Sequence, residues 1–333
     1  MAEGTIGVTD ELAWYDQAER AGSDGSRPAL LRCTAPDALS NLVAVLELAA
    51  DRQLRYGAAT RRPLPATIRL VEDVLVAGDY YEPDQVGTGG PIAAFAWPLL
   101  LQAGGLAQLA GTRLELTARG QAALAQPSYQ ALGGLWDRWL ANVSHDELAR
   151  VEAIKGQGRP STLTPVRGRR AAVAAGLAAV EPGAWTDVDV LLGILATQPR
   201  PLVVARSLRA LWRLYLVDSY HGSLGHAGPA AWNVLPGRYA LCVLFEYAAT
   251  MGVVDVAYTG PAGVRDDYRG LWGTGDLAWL SRYDGLVAVR VNELGAAILH
   301  DPGALPGLGL PVPRRGPGPP VSARPTAGGA VPS

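Results

Sequence analysis

The chain has 333 residues, of which 49% are apolar and 18% are charged, and its formal net charge is -2. A chain of this length is expected to form about two domains, and its apolar fraction excludes intrinsic disorder over most of the sequence. The near-neutral balance excludes a globally basic, histone-like protein, although it leaves room for a local basic face.

The first third of the chain has a helical pattern with short extended pieces. Asp37 and Thr117 are residue types that cap helix N-termini, and Pro65 is tolerated in a first helical turn. In chain order the pattern predicts a helix over 37–51, an extended piece over 54–58, a helix over 65–77, an apolar helix over 91–103, strands over 106–109 and 113–116, and a helix over 117–124.

This order of elements resembles a winged helix over residues 37–125. The segment Leu99–Leu124 carries the resemblance: a helix that ends in Gly-Leu, then a hairpin, then Leu-Thr-x-x-Gly. A second copy of this step follows over residues 247–257 and 284–299. Thr117 precedes Gly120 by three positions, as Asn292 precedes Gly295, and both Thr and Asn are N-cap types.

The sequence therefore predicts a mainly α protein with short β-hairpins (α+β), built as tandem winged-helix domains joined by helices. Segments 170–180 and 187–196 are expected to supply the first two helices of the second unit, and Tyr129–Glu152 to form a bridging helix. The expected organisation is a flexible N-terminal arm over 1–35, winged-helix domain 1 over 36–127, a bridging helix and basic linker over 128–163, an elaborated winged-helix domain 2 over 164–301, and a disordered Pro/Gly-rich tail over 302–333.

The stretch from about residue 130 to 300 also resembles a family of uncharacterised bacterial proteins of unknown activity. The features that carry this resemblance are Leu244–Thr250, Ser281–Leu286 and Tyr220–Gly225. It supports one coherent module and implies no function.

No catalytic constellation, metal site or cofactor motif is predicted. His221 and His226 lie five positions apart in a Gly-rich loop, without a third ligand at metal-site spacing, so a tight loop whose histidines bind backbone groups is favoured. Ser223 lacks the Gly-x-Ser-x-Gly context of a nucleophile, and no phosphate-binding loop follows the glycines. We therefore expect a protein that is not an enzyme.

A cytoplasmic location is expected. Cys33 and Cys242 are the only two cysteines, and no signal peptide is visible. The uncharged segment Gln85–Thr112 is long enough to cross a bilayer. Its prolines, glutamines and Gly-Gly pairs instead favour a buried helix followed by a strand.

Positive charge is concentrated in two short segments. The segment 150–170 contains six cations and a single acid, Glu152. The segment 200–213 contains four cations and no acid. Such clusters can neutralise DNA phosphates without base recognition, so duplex DNA is the expected partner. The predicted nucleic-acid-binding residues are Arg150, Lys155, Arg159, Arg167, Arg169, Arg170, Arg206, Arg209 and Arg213.

Neither third helix of the predicted units favours base recognition, because both are apolar nearly all round and should be buried. The alternative function is a protein-interaction scaffold without nucleic-acid binding. Its predicted partner-binding residues are Trp272, Trp279 and Tyr283, in the long second hairpin, because such aromatic residues are enriched at interfaces. The sequence leaves both alternatives open, as it does ordinary ion pairing of the arginines with acids such as Glu181.

Overall fold

The computed structural model describes residues 29–81, 90–159 and 161–308. The α-helices are α1 (Ala35–Ala50), α2 (Pro65–Glu72), α3 (Ala93–Ala103), α4 (Ala118–Ala125), α5 (Tyr129–Ala141), α6 (Val166–Leu177), α7 (Val188–Thr197), α8 (Leu208–Leu211), α9 (Arg238–Cys242) and α10 (Glu293–His300). The strands are β1 (Leu30–Arg32), β2 (Ala107–Ala110), β3 (Arg113–Leu116), β4 (Trp185–Asp187), β5 (Val254–Tyr258) and β6 (Leu286–Val291).

The described strands form two antiparallel sheets. Strands β2 and β3 form a hairpin, and the larger sheet has the order β1-β5-β6-β4. In the larger sheet Val254 pairs with Val291, and the register shifts between Ala257 and Tyr258. The predicted α+β class, rich in helices with short antiparallel strands, is therefore confirmed.

The step from helix to hairpin to helix occurs twice with the same hydrogen bonds. Thr117 accepts a hydrogen bond from the N–H of Gly120 (3.1 Å) and donates one to the carbonyl of Gly105 (2.7 Å). Asn292 accepts from the N–H of Gly295 (3.0 Å) and donates to the carbonyl of Gly252 (3.0 Å). The predicted N-caps Thr117 and Asn292 are confirmed. The prediction that Asp37 caps α1 was wrong, because the helix begins at Ala35 after Thr34 and Asp37 lies in its first turn.

The glycines of this step are required by close packing. A Cβ on Gly120 would lie 2.0 Å from the carbonyl oxygen of Leu106, and a Cβ on Gly295 would lie 1.9 Å from that of Val253. Any side chain would therefore push the capped helix away from the hairpin. The close approach keeps both steps in the same geometry.

Three predictions about the ends of elements were wrong. Residues 30–32 of the predicted arm form strand β1, which pairs with β5, because strand pairing satisfies their backbone groups. The predicted bridging helix ends at Ala141, since Asn142 is extended, and a separate 3-10 helix follows over Glu147–Arg150. Residues 302–307 of the predicted tail form a 3-10 helix that buries Leu305. The rest of the arm (1–28) and of the tail (309–333) lies outside the described residues.

One hydrophobic core joins the two halves of the chain. Its largest buried side chains include Trp97 from α3, Trp136 and Trp139 from α5, and Tyr247 from a π-helical segment that continues α9. Helix α3 is buried along ten of its eleven residues, which confirms that it is an interior element. The domain boundaries proposed from the sequence remain a prediction.

Candidate nucleic-acid interface

The two basic segments lie side by side. The backbone N–H of Lys155 donates to the carbonyl of Tyr215 (2.8 Å), and the N–H of Tyr215 donates back (3.3 Å). Farther along, Leu163 pairs with Ala205 in the same antiparallel sense. The chain of 155–163 therefore runs antiparallel to 205–215. Two clusters that are about 50 residues apart in sequence become neighbours in the fold.

Six of the nine predicted residues lie on these paired segments or at the start of α6, which follows them, and together they are here called the basic surface. Five of the six are exposed and Arg213 is half-buried. Within the described residues, none of the six forms an ion pair with a carboxylate. The members of the basic surface are Lys155, Arg159, Arg167, Arg206, Arg209 and Arg213.

Two carboxylates beside Lys155 are already engaged. Asp146 and Glu152 line a groove of about 470 Å³ beside Lys155. Asp146 pairs with Arg169, and Glu152 pairs with Arg282 at 3.0 Å. Their charges are therefore largely compensated, and the exposed cations set the sign of the local field.

The prediction that Arg150, Arg169 and Arg170 bind nucleic acid is contradicted by their positions. Arg150 is 9% exposed, Arg169 is 1% exposed and Arg170 is fully buried. Each forms an ion pair, Arg150 with Glu246 at 2.9 Å, Arg169 with Asp146 at 2.5 Å and Arg170 with Glu147 at 2.5 Å. A guanidinium group whose charge is compensated inside the core cannot reach a phosphate.

These buried arginines belong to a polar network inside the core. Glu147 accepts hydrogen bonds from Nε of Arg170 (2.8 Å) and from the hydroxyl of Tyr239 (3.1 Å). Burial raises the pKa of Glu147, and the charge of Arg170 opposes that rise. Burial, with a contribution from Arg170, lowers the pKa of His145 to about 3. The network holds α6 against the 3-10 helix of Glu147–Arg150, and so fixes the start of the basic segment that follows.

The predicted partner-binding residues lie in three different environments. Trp272 is 51% exposed and Trp279 is half-buried. Tyr283 is fully buried, and its hydroxyl donates to Glu246. The prediction that Tyr283 contacts a partner was wrong, because its hydroxyl is needed to satisfy a buried carboxylate.

Sequence reasoning missed two aromatic residues beside the basic surface. Trp212 is 49% exposed and Tyr220 is 79% exposed. A signal for Trp212 was present, since it lies between Arg209 and Arg213 on the arginine-rich segment. Tyr220 lies in the Gly-rich loop, where the two histidines are the residues that suggest a site and no pattern singles out the tyrosine.

The histidines of that loop contact aromatic rings. The ring of His221 stacks on Trp272 at 5.0 Å, and the ring of His226 meets Trp212 edge-on at 4.6 Å. Across the parts of the chain that the structure describes, no group of three His, Cys, Asp or Glu side chains is arranged to hold a metal ion. The loop therefore presents rings at the surface.

Among the described helices, none has both the length and the apolar character needed to cross a membrane. Comparison with known proteins found no matching family model, no matching curated protein and no matching solved structure.

Proposed function

We propose that this chain is a non-enzymatic DNA-binding protein that holds duplex DNA by its phosphates with low sequence specificity. The proposal includes tandem winged-helix units as its architecture, supported by the repeated capped step at Thr117 and Asn292. The observation that carries the function is the antiparallel pairing of the two basic segments, which gathers six cations without carboxylate partners among the described residues.

The basic surface offers several cations to a phosphate backbone. Its six members come from three neighbouring parts of the chain: Lys155 and Arg159, then Arg167 at the start of α6, then Arg206, Arg209 and Arg213. Because successive phosphates of one DNA strand are about 3.4 Å apart along the axis, such a group of cations can neutralise several phosphates at once.

Low sequence specificity is expected because the helices that would contact bases are buried. In a winged helix the third helix usually enters the major groove. Here α3 is buried, and so are all residues from Val234 to Ala248 in the corresponding part of the second unit. Phosphate contacts fix position on DNA but carry no base information, so binding should depend little on sequence.

A salt titration tests the proposal. Labelled duplexes of about 20 base pairs, with two unrelated sequences, would be titrated by fluorescence anisotropy between about 50 and 200 mM salt. We expect similar affinities for both sequences. The slope of log K against log salt should be about -0.9 for each phosphate neutralised, hence near -5 for six contacts.

Charge reversal supplies the matched comparison. The double variant Arg206→Glu/Arg209→Glu should weaken binding to both duplexes and make the slope shallower by about 2. The control, Arg119→Glu/Arg138→Glu, has the same change in net charge at two exposed positions outside the basic surface and should bind like the parent. Absence of binding to either duplex at about 50 mM salt would overturn the proposal and favour the scaffold alternative.

A further inference from the structure

A row of exposed rings borders the basic surface. Here it is called the aromatic row: Trp212, Tyr220, His221 and Trp272. Tyr220 meets His221 edge-on at 4.9 Å, and His221 stacks on Trp272 at 5.0 Å. Tyr220 is 79% exposed and the two tryptophans about half exposed. Trp212 contacts the same loop through His226, whose ring it meets edge-on at 4.6 Å. Large rings normally bury most of their area, so four exposed rings on and around one loop form an unusual surface.

The rings are held in place by local structure rather than left loose. The carboxylate of Asp218 accepts hydrogen bonds from the N–H groups of Tyr220 (2.9 Å) and His221 (2.8 Å), which fixes the turn that carries both rings. Those two N–H groups lower the pKa of Asp218, so it stays an acceptor at neutral pH.

Two glycines let the tryptophan and the loop pack closely. The indole of Trp212 lies over Gly225, where any Cβ would come within 2.1 Å of the ring. Gly273, next to Trp272, has φ +75° and packs against Val217. Trp212 thus packs on Gly225 and Trp272 on His221, while about half of each tryptophan stays exposed. Rings fixed in this way bind a flat ligand with little loss of conformational entropy.

Backbone pairing places the aromatic row beside the cations. Tyr215 pairs with Lys155 on one side and with Ser223 on the other. Because neighbouring paired segments lie about 4.8 Å apart, the backbone of Ser223, two residues after His221, is about 10 Å from that of Lys155. Trp212 itself lies between Arg209 and Arg213 in the sequence. The exposed rings and the cations therefore lie on neighbouring segments.

We propose that the aromatic row binds the unpaired bases of single-stranded nucleic acid, whose phosphates lie on the basic surface. This inference rests on the proposed DNA-binding function and adds single strands to the ligands of the same surface. Base faces are hidden inside a duplex but accessible in a single strand. Every base has a face that can stack on an aromatic ring, so stacking adds affinity without sequence preference. The neighbouring cations favour a polyanion as the occupant over a protein segment that has few acidic residues.

The experiment compares three ligands by anisotropy: an oligothymidylate of about 15 nucleotides, an abasic strand of the same length, and a blunt duplex. The two single strands carry the same number of phosphates and differ only in their bases. The parent protein should bind the oligothymidylate at least about tenfold more tightly than the abasic strand, since each stacked base adds affinity. The variant Tyr220→Ala/Trp272→Ala should lose about tenfold or more for the oligothymidylate and keep its duplex affinity. Tyr220→Phe/Trp272→Phe retains the rings and should bind nearly as the parent does.

The outcomes separate this inference from the function on which it rests. Equal binding of the oligothymidylate and the abasic strand, with duplex binding intact, would overturn the stacking role and leave the duplex function standing. Base-dependent binding of the oligothymidylate without duplex binding would overturn the duplex as ligand and support the aromatic row. Binding of none of the three ligands would overturn both and favour a protein partner.

Discussion

The arginines of helix α6 lie in two different environments although they are close neighbours in sequence. Arg167 is exposed and has no carboxylate partner among the described residues. Arg169 and Arg170 are buried, and they pair with Asp146 and Glu147. Two of the three arginines on this helix therefore form ion pairs in the core, and Arg167 is exposed to solvent.

The difference depends on where the fold places the acids. Asp146 and Glu147 begin a 3-10 helix 23 residues before Arg169 and Arg170, and Glu246 lies 96 residues after Arg150. A buried charge is tolerated only when it is paired and hydrogen-bonded. An arginine that no acid can reach stays at the surface, where it is available to a polyanion. The density of charged residues along the sequence therefore cannot distinguish an arginine that becomes buried from one that stays exposed.

Removing a buried arginine should have the largest effect on stability. Arg170 pairs with Glu147, donates to the carbonyl of Asn142 (2.8 Å) and lies over the ring of Trp139. Arg170→Met leaves the buried Glu147 without its cation, so we expect the free energy of unfolding to fall by about 3–5 kcal/mol. Urea denaturation measures the loss. Arg167→Met, on the same helix, is the control and should change stability by less than about 0.5 kcal/mol.

Replacing both members of a buried pair should cost less than the sum of the single replacements. Arg150 holds both carboxylate oxygens of Glu246 at 2.9 Å. In a double-mutant cycle with Arg150→Met and Glu246→Leu, we expect a coupling energy of about 1–3 kcal/mol. A residual loss should remain, because the hydroxyl of Tyr283 also donates to Glu246 and would lose its acceptor. Strictly additive losses would show that the pair is not a unit.

Acid should weaken the core through His145. Its pKa is lowered to about 3 in the folded state, mainly by burial, whereas an unfolded histidine has a pKa near 6.5. Below about pH 6.5 the unfolded state therefore binds a proton that the folded state excludes, and stability falls as pH falls. Between pH 7 and pH 5 this difference amounts to about 2 kcal/mol.

The variant His145→Gln isolates this contribution. Its free energy of unfolding should decrease less between pH 7 and pH 5 than that of the parent, by up to about 2 kcal/mol. Urea titrations at the two pH values measure the loss of stability for the parent and for the variant. If parent and variant lose the same stability on acidification, His145 is protonated in the folded state as well, and burial does not hold its pKa near 3.

Much of the fold could be predicted from local patterns. The N-caps Thr117 and Asn292, the hairpin β2–β3 and most helices follow from residue types that act on their near neighbours. Strand β1 could not be predicted in this way, because its three residues are ordered by pairing with β5, more than 200 positions later. Non-local pairing leaves no periodic signal in so short a segment.

The candidate site was predictable only in part for the same reason. The charge cluster of Arg206, Arg209 and Arg213 was visible in the sequence, and their spacing favours one stripe on a helix. That stripe does not form, because the helix is limited to Leu208–Leu211 and only Arg209 lies on it. The contact that joins this cluster to Lys155 is an antiparallel pairing between irregular segments, which has no sequence signature. The burial of Arg150 could not be foreseen, since its partner Glu246 is defined by the tertiary fold.

Charge reversal on the basic surface should have the smallest effect on stability. Arg159→Glu and Arg209→Glu change exposed side chains that have no described ion pair, so the free energy of unfolding should move by less than about 0.5 kcal/mol. The same change at Arg169 would place a carboxylate against Asp146 in the interior, and that variant should unfold at far lower urea. If Arg209→Glu destabilises the chain as strongly as Arg169→Glu, Arg209 is a structural residue. The proposed DNA-binding surface would then have one cation fewer.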